Sequence, residues 1–254
     1  MTDTVDKGLP ELTFDGAVAT ITLRRPEHAN RLSPEDLERL AALLGEVNGR
    51  PEILVLMLRG TGKYFCSGYD IDSIGEGRRI DFAAMVDAVE QARPVCIAVL
   101  HGSVYGGATD LALACDFRLG AEDIEMFMPA ARLGIHYYRS GLERYVARLG
   151  LDNAKRLFLT AEKLNGRQMK EIGFLTHLVK ADKLEEEVSR LGQTCAAMAP
   201  IAMLGMKRHL NRIARGTLQV ADLEADIQRA MASADLREGL AAWAQKRAPR
   251  FSGK

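Results

Sequence analysis

The chain has little that would staple it or anchor it. Its 254 residues include four cysteines, Cys66, Cys96, Cys115 and Cys195, widely spaced and without a C-x-x-C pair. Cys96 and Cys115 sit inside apolar runs, which suits reduced core thiols. Neither sign of charge is in excess: lysine plus arginine and aspartate plus glutamate number 34 each. No global field therefore steers the protein to nucleic acid or to a membrane surface, and an anionic ligand has to be met by local basic residues. No apolar stretch approaches the roughly 20 residues that span a bilayer. Met1 to Lys7 is short, polar and charged, unlike a signal or transit peptide. The expectation is a soluble, cytoplasmic protein with no nucleic-acid and no membrane partner.

Several motifs are also missing. Gly60-Thr61-Gly62-Lys63 is followed by Tyr64 and has no glycine five residues before Gly62, so it fails the phosphate-loop pattern. Gly102 to Gly107 is not G-x-G-x-x-G, and no acidic residue closes a Rossmann unit. The five histidines (His28, His101, His136, His177, His209) form neither H-E-x-x-H nor a helical i, i+4 pair, so no metal is expected. Without G-x-S-x-G an α/β-hydrolase is disfavoured, and Ser67 reads as a loop residue instead of a nucleophile.

What is present is an α/β order. Leu12 to Phe14 and Val18 to Leu23 read as a hairpin around Asp15-Gly16. Ser33-Pro34-Glu35-Asp36 reads as a helix start, with Ser33 as N-cap and Asp36 placed for a capping box. Strands Ile53–Leu58, Val95–Leu100 and Asp116–Leu119 alternate with helices, Phe82–Ala92 and Gly107–Ala114 among them, which favours a mainly parallel sheet with helices outside. The charged, glycine-bearing stretch Asp72 to Arg79 reads as mobile and as part of a pocket wall. Beyond Pro129 the periodicity is helical at 142–149, 153–160, 166–171, 183–198, 201–213, 218–234 and 236–246, with almost no strand signal. No low-complexity linker or repeat intervenes.

Two glycine-containing segments stand out, Cys66-Ser67-Gly68-Tyr69-Asp70-Ile71 and His101-Gly102-Ser103-Val104-Tyr105-Gly106-Gly107-Ala108. Each follows a buried-strand pattern. Side by side, two such loops can aim backbone N–H groups at one point, as a thioester carbonyl requires when it becomes an enolate or alkoxide. The helix opening at Gly107 would add the positive end of its dipole.

Together with Arg25-Pro26-Glu27-His28-Ala29-Asn30-Arg31-Leu32, the run from Lys63 to Ile71, the run from Ala98 to Asp116, the segment Leu159 to Leu164 and the ending Trp243 to Phe251, these loops resemble the crotonase (enoyl-CoA hydratase/isomerase) family over nearly the whole chain. The resemblance implies an α/β fold, a spiral of ββα turns spanning 1–199, followed by a helical oligomerisation region, 200–254, that makes a homotrimer or a dimer of trimers. It implies an acyl-CoA thioester substrate, coenzyme A entering only as part of that substrate, and no cofactor. Tyr69 and Gly107 fall on the donors of the oxyanion hole. Arg25, Ala29, Lys63, Ser67, Gly68, Asp70, Ile71 and Gly106 fall on segments that would meet the substrate or its CoA.

Two acid/base positions depart from the hydratase pattern. The glutamate expected six residues before Asp116 is Asp110, and the second glutamate, expected after Pro129, is Ala130. Hydration normally shares two protons and a water between two carboxylates, so the loss of one disfavours simple hydration. His136 and Tyr138, in a loop that is small and glycine-rich in hydratases, are the candidate replacements; filling an acyl pocket is their other reading. The leading expectation is hydratase/isomerase-type chemistry, lyase or isomerase, with Asp110 moving a proton. The rivals are C–C cleavage, decarboxylation or thioester hydrolysis using the His136–Arg139 loop, and a silent acyl-CoA-binding subunit. Lys207, Arg208 and Arg212 read as a solvated face, or else as a site for CoA phosphates on a neighbouring subunit.

Overall fold

The computed structural model describes residues 8–71 and 81–254, so the stretch Asp72 to Arg79 lies outside the described residues. Two sheets organise the fold. The larger runs in the order β1 (Glu11–Asp15), β2 (Val18–Leu23), β3 (Val55–Gly60), β5 (Val95–Leu100), β7 (Phe117–Ala121), β10 (His177–Val179). Only β1–β2 is antiparallel, closed by the Asp15-Gly16 turn with Asp15 opposite Val18; every other pair is parallel. β5 is buried at all six residues, as the unbroken apolar run Val-Cys-Ile-Ala-Val-Leu requires of a strand covered on both faces.

The smaller sheet, β4 (Tyr64–Cys66), β6 (Ser103–Tyr105), β8 (Glu125–Phe127) and β9 (Leu164–Asn165), is not foreseen by periodicity. Strands of two or three residues are too short to display a period of two, and β9 and β10 correct the expectation of almost no strand beyond Pro129. The successive pairs β3–β4, β5–β6 and β7–β8 each place their first strand in the large sheet and their second in the small one. Because β4, β6 and β8 are parallel, their C-terminal ends deliver residues 67–70, 106–107 and 128–130 at one edge.

Helix α1 (Pro34–Asn48) begins as its sequence dictates: Ser33 accepts from the Asp36 N–H, and Asp36 accepts from the Ser33 N–H at 2.8 Å. Helices α2 (Phe82–Glu90), α3 (Gly107–Ala114), α4 (Arg139–Leu149), α5 (Leu151–Thr160), α6 (Gly166–Glu171) and α7 (Leu184–Ala196) follow in chain order. α8 (Pro200–Ala214), α9 (Val220–Ala232) and α10 (Ala234–Ala244) close the chain. All four cysteines are buried and unbridged. Among the described residues no helix is long and apolar enough to cross a membrane, and no cluster of metal-ligating side chains occurs.

Lys207 is neither on a solvated face nor open to a phosphate. Its side chain is 8% exposed, and its ammonium lies 2.8 Å from Asp116 Oδ2 and donates to the Ala92 and Pro94 carbonyls. Arg208 and Arg212 are engaged by Asp226 and Asp222.

Candidate active site

The first loop is held by backbone bonds. The Leu32 N–H donates to the Gly68 carbonyl at 2.8 Å, the Asp70 N–H to the Leu32 carbonyl at 2.9 Å, and the Ser67 N–H to the Ala29 carbonyl at 2.9 Å. Asn30, buried and in the left-handed region, donates its amide to the carbonyls of Thr61, Tyr64 and Phe65 and accepts from the Arg25 N–H. It thus pins residues 25–32 to the strand that feeds Gly68.

The second loop abuts the first. Gly68 has φ +104°, and a Cβ there would lie 3.0 Å from both the Gly107 nitrogen and the Tyr105 carbonyl oxygen. Only glycine allows the two chains so close. Gly107 opens α3, so its N–H is among the donors that a helix leaves without an internal partner. A side chain at Gly107 would collide with the Phe82 ring, which lies between Tyr69 (5.5 Å between centroids) and Tyr138 (6.1 Å).

Asp110 stands one turn along α3 from Gly107 and is fully buried. Its Oδ2 accepts from Arg144 Nη1 at 2.6 Å and from the Tyr138 hydroxyl. Its Oδ1 is buried without a hydrogen-bond partner. Burial pushes the carboxyl above its ordinary 3.8, opposed by the Arg144 guanidinium and by the Tyr138 hydroxyl. The guanidinium, itself fully buried, also reaches Glu90 Oε1 at 3.1 Å and Asp87 Oδ1 at 2.5 Å. Burial alone would loosen its proton; the facing carboxylates of Asp110 and Glu90 more than reverse this and hold it charged. Tyr138 stacks on Tyr137 at 4.4 Å, and burial beside Asp110 raises both phenols.

The structure therefore brings together Gly68, Gly107, Asp110 and Tyr138, with Tyr69 bridged to Leu32 beside them. Gly106, at φ +54°, donates to the Phe127 carbonyl and sets the turn into α3. His136 is exposed, its Nδ1 2.9 Å from the Tyr137 carbonyl oxygen, and it is not brought to Asp110. Arg139 is 91% exposed and paired with Glu143. Arg25 turns to the start of α1, 3.0 Å from Asp36, and Asp70 lies 3.3 Å from Arg31, bracing the first loop. Lys63 and Ile71 are exposed at the rim. Ala130, in the short turn after Pro129, presents a buried methyl group.

Sequence reasoning missed Arg144, Asp87, Glu90 and Phe82. Asp87 and Glu90 are three apart on α2, a spacing visible in the chain. Their convergence on an arginine 57 and 54 residues later is a tertiary fact.

A family model described as enoyl-CoA hydratase/isomerase matches residues 13–254. The chain is 30% identical to the peroxisomal Delta(3,5)-Delta(2,4)-dienoyl-CoA isomerase of Arabidopsis thaliana, with 94% of each chain covered. It is 32% identical to the enoyl-CoA isomerase/hydratase fer4 of Mycosarcoma maydis, with 92% of each covered. Among solved structures, an enoyl-CoA hydratase/carnithine racemase from Magnetospirillum magneticum superposes with a TM-score of 0.89 at 27% identity, over 97% of this chain and 96% of that one.

Proposed function

Because the chain belongs to the enoyl-CoA hydratase/isomerase (crotonase) family, we propose that it moves a double bond in an enoyl-CoA by proton transfer through an enolate. The N–H groups of Tyr69 and Gly107 receive the thioester oxygen as it gains charge, with the dipole of α3 behind Gly107. Asp110 Oδ1 takes the proton from C2 and returns it at C4, so that no water is consumed. Arg144 keeps the carboxylate ionised while burial keeps it basic, and Tyr138 fixes Oδ2 so that Oδ1 faces the reacting carbon.

The observation that carries this reading is Oδ1 itself, a fully buried carboxylate oxygen without a partner one helical turn from Gly107. A buried unpaired acceptor costs free energy unless something else comes to meet it. Ala130 supports isomerisation over hydration, because no second carboxylate stands after Pro129 to hold a water. Nothing in the exposed side chains of His136 and Arg139 favours cleavage or decarboxylation. The unbridged cysteines fit a reducing, cytoplasmic compartment. The apolar residues exposed on α8–α10 fit a homotrimer or dimer of trimers built on residues 200–254.

The test is mass spectrometry of butyryl-, crotonyl- and 3-hexenoyl-CoA incubated with the protein in D2O, beside Asp110→Asn. The expected result is deuterium at C2 or C4 and migration of the double bond, both reduced by roughly 10²- to 10⁴-fold in the variant. Exchange that survives in Asp110→Asn would move the base to Tyr138 or His136. Binding without exchange, product or CoA release across the panel would favour the silent subunit.

A further inference from the structure

The charge network around Asp110 does not end at Arg144. Glu90, on α2, accepts from Arg144 at Oε1 (3.1 Å) and from Arg215 at Oε2 (2.6 and 2.9 Å). Arg215 is the C-cap of α8, in the C-terminal helices. Its Nη1 also donates to the Ser140 carbonyl at 2.6 Å, and it contacts Glu143 at 3.3 Å and Asp87 at 3.8 Å. Asn211, one turn earlier on α8, donates to the Glu90 backbone carbonyl at 3.0 Å. The side chains along this path are 0% (Asp110, Arg144), 9% (Glu90) and 13% (Arg215) exposed.

We propose that Arg215 is a positioning residue for Asp110, acting through Glu90 and Arg144, so that the C-terminal helices set the charge environment of the candidate base. Its functional meaning rests on Asp110 being the acid/base group, as proposed above. The physical reason is a shared cation. Arg144 faces three carboxylates, those of Asp87, Glu90 and Asp110, and cannot neutralise them all. Arg215 takes up the far oxygen of Glu90, which leaves more of Arg144 for Asp110. The groups facing Asp110 are Glu90 from α2 and Tyr137, Tyr138, Arg144 and Tyr145 from α4 and the loop before it, with Asp87 of α2 at one remove through Arg144 and Arg215 of α8 at one remove through Glu90.

Removing Arg215 leaves Glu90 undercompensated, which disfavours the ionised form of Asp110. Removing the charge of Glu90 does the opposite. A residue that merely supported packing would not produce effects of opposite sign.

The experiment is NMR titration of full-length protein carrying 13C at the aspartate carboxyls, with Asp110→Asn identifying the resonance. Arg215→Gln is expected to move the Asp110 midpoint to higher pH and Glu90→Gln to lower pH. The double variant is expected to return it towards wild type, with Arg215→Lys between wild type and Arg215→Gln. If Arg215→Gln does not fold, Glu90→Gln and Arg215→Lys still fix the sign. An Asp110 midpoint that ignores both single substitutions, or moves the same way in both, would overturn the proposal. The readout needs no turnover, so it separates the two ideas. Shifted midpoints with full deuterium exchange in Asp110→Asn would sustain the link and remove Asp110 as the base.

Discussion

Asp110 occupies a carboxylate environment that water never offers: one oxygen saturated by Arg144 and Tyr138, the other buried and bare. Desolvation holds its proton affinity up while the guanidinium pulls it down, and the net direction is upward from 3.8. A base with a raised value is lost as pH falls through that value. The acid limb of C2 exchange is therefore expected above the ordinary carboxylate range. Tyr138→Phe removes a donor that favours the ionised form, so the limb should move to still higher pH and the rate at neutral pH should fall. A pH profile of exchange in both proteins checks this; a limb that stays put or moves down would mean that the Tyr138 hydroxyl does not act on the reacting carboxylate. Asp110 was legible as a candidate through the resemblance to the hydratase pattern, which sets a carboxylate six residues before Asp116. The buried guanidinium that pairs with it was not, since Arg144 is separated from it by 34 residues.

At the level of elements, the sequence announces what is local and periodic. The capping box at Ser33, the hairpin at Asp15-Gly16 and the buried run of β5 all stand where their chemistry puts them. Ser33 also receives Arg25 Nη1 at 3.3 Å, so the cap is continuous with the loop of residues 25–32. Ser33→Ala is expected to lower stability by about 1 kcal/mol, as the loss of an N-cap generally does. Urea unfolding followed by circular dichroism measures it. An unchanged midpoint would mean that tertiary packing alone holds the start of α1. The short strands β4, β6 and β8 escaped because each owes its conformation to a neighbour in the small sheet and not to its own pattern. They are also the strands that converge the site.

For the whole molecule, the unsatisfied feature is the apolar surface of the last three helices. Met206, Leu210, Leu240 and Trp243 are 60 to 87% exposed. Large apolar side chains left this exposed on neighbouring helices fit a surface for association. Sedimentation is expected to give three or six chains per particle, and Trp243→Asp to shift the distribution towards single chains. A wild-type protein that sediments as one chain would contradict the trimer. Met206 and Leu210 lie on α8, whose C-cap is Arg215, so exposed apolar side chains and the Arg215–Glu90 ion pair share one helix.

By itself the sequence determined the parallel α/β order and the two glycine loops, because helix periods, caps and glycine turns are set by neighbours in the chain, while Asp110 and Ala130 were marked by the resemblance to the hydratase pattern. Only the tertiary structure decided that Arg144 would gather Asp87, Glu90 and Asp110, that Phe82 would lie on Gly107, that Lys207 would be buried on Asp116 and that His136 would stay at the surface. Those contacts join segments tens of residues apart. Which charge meets which is settled by burial and by the neutralisation that burial demands, and no local pattern encodes it.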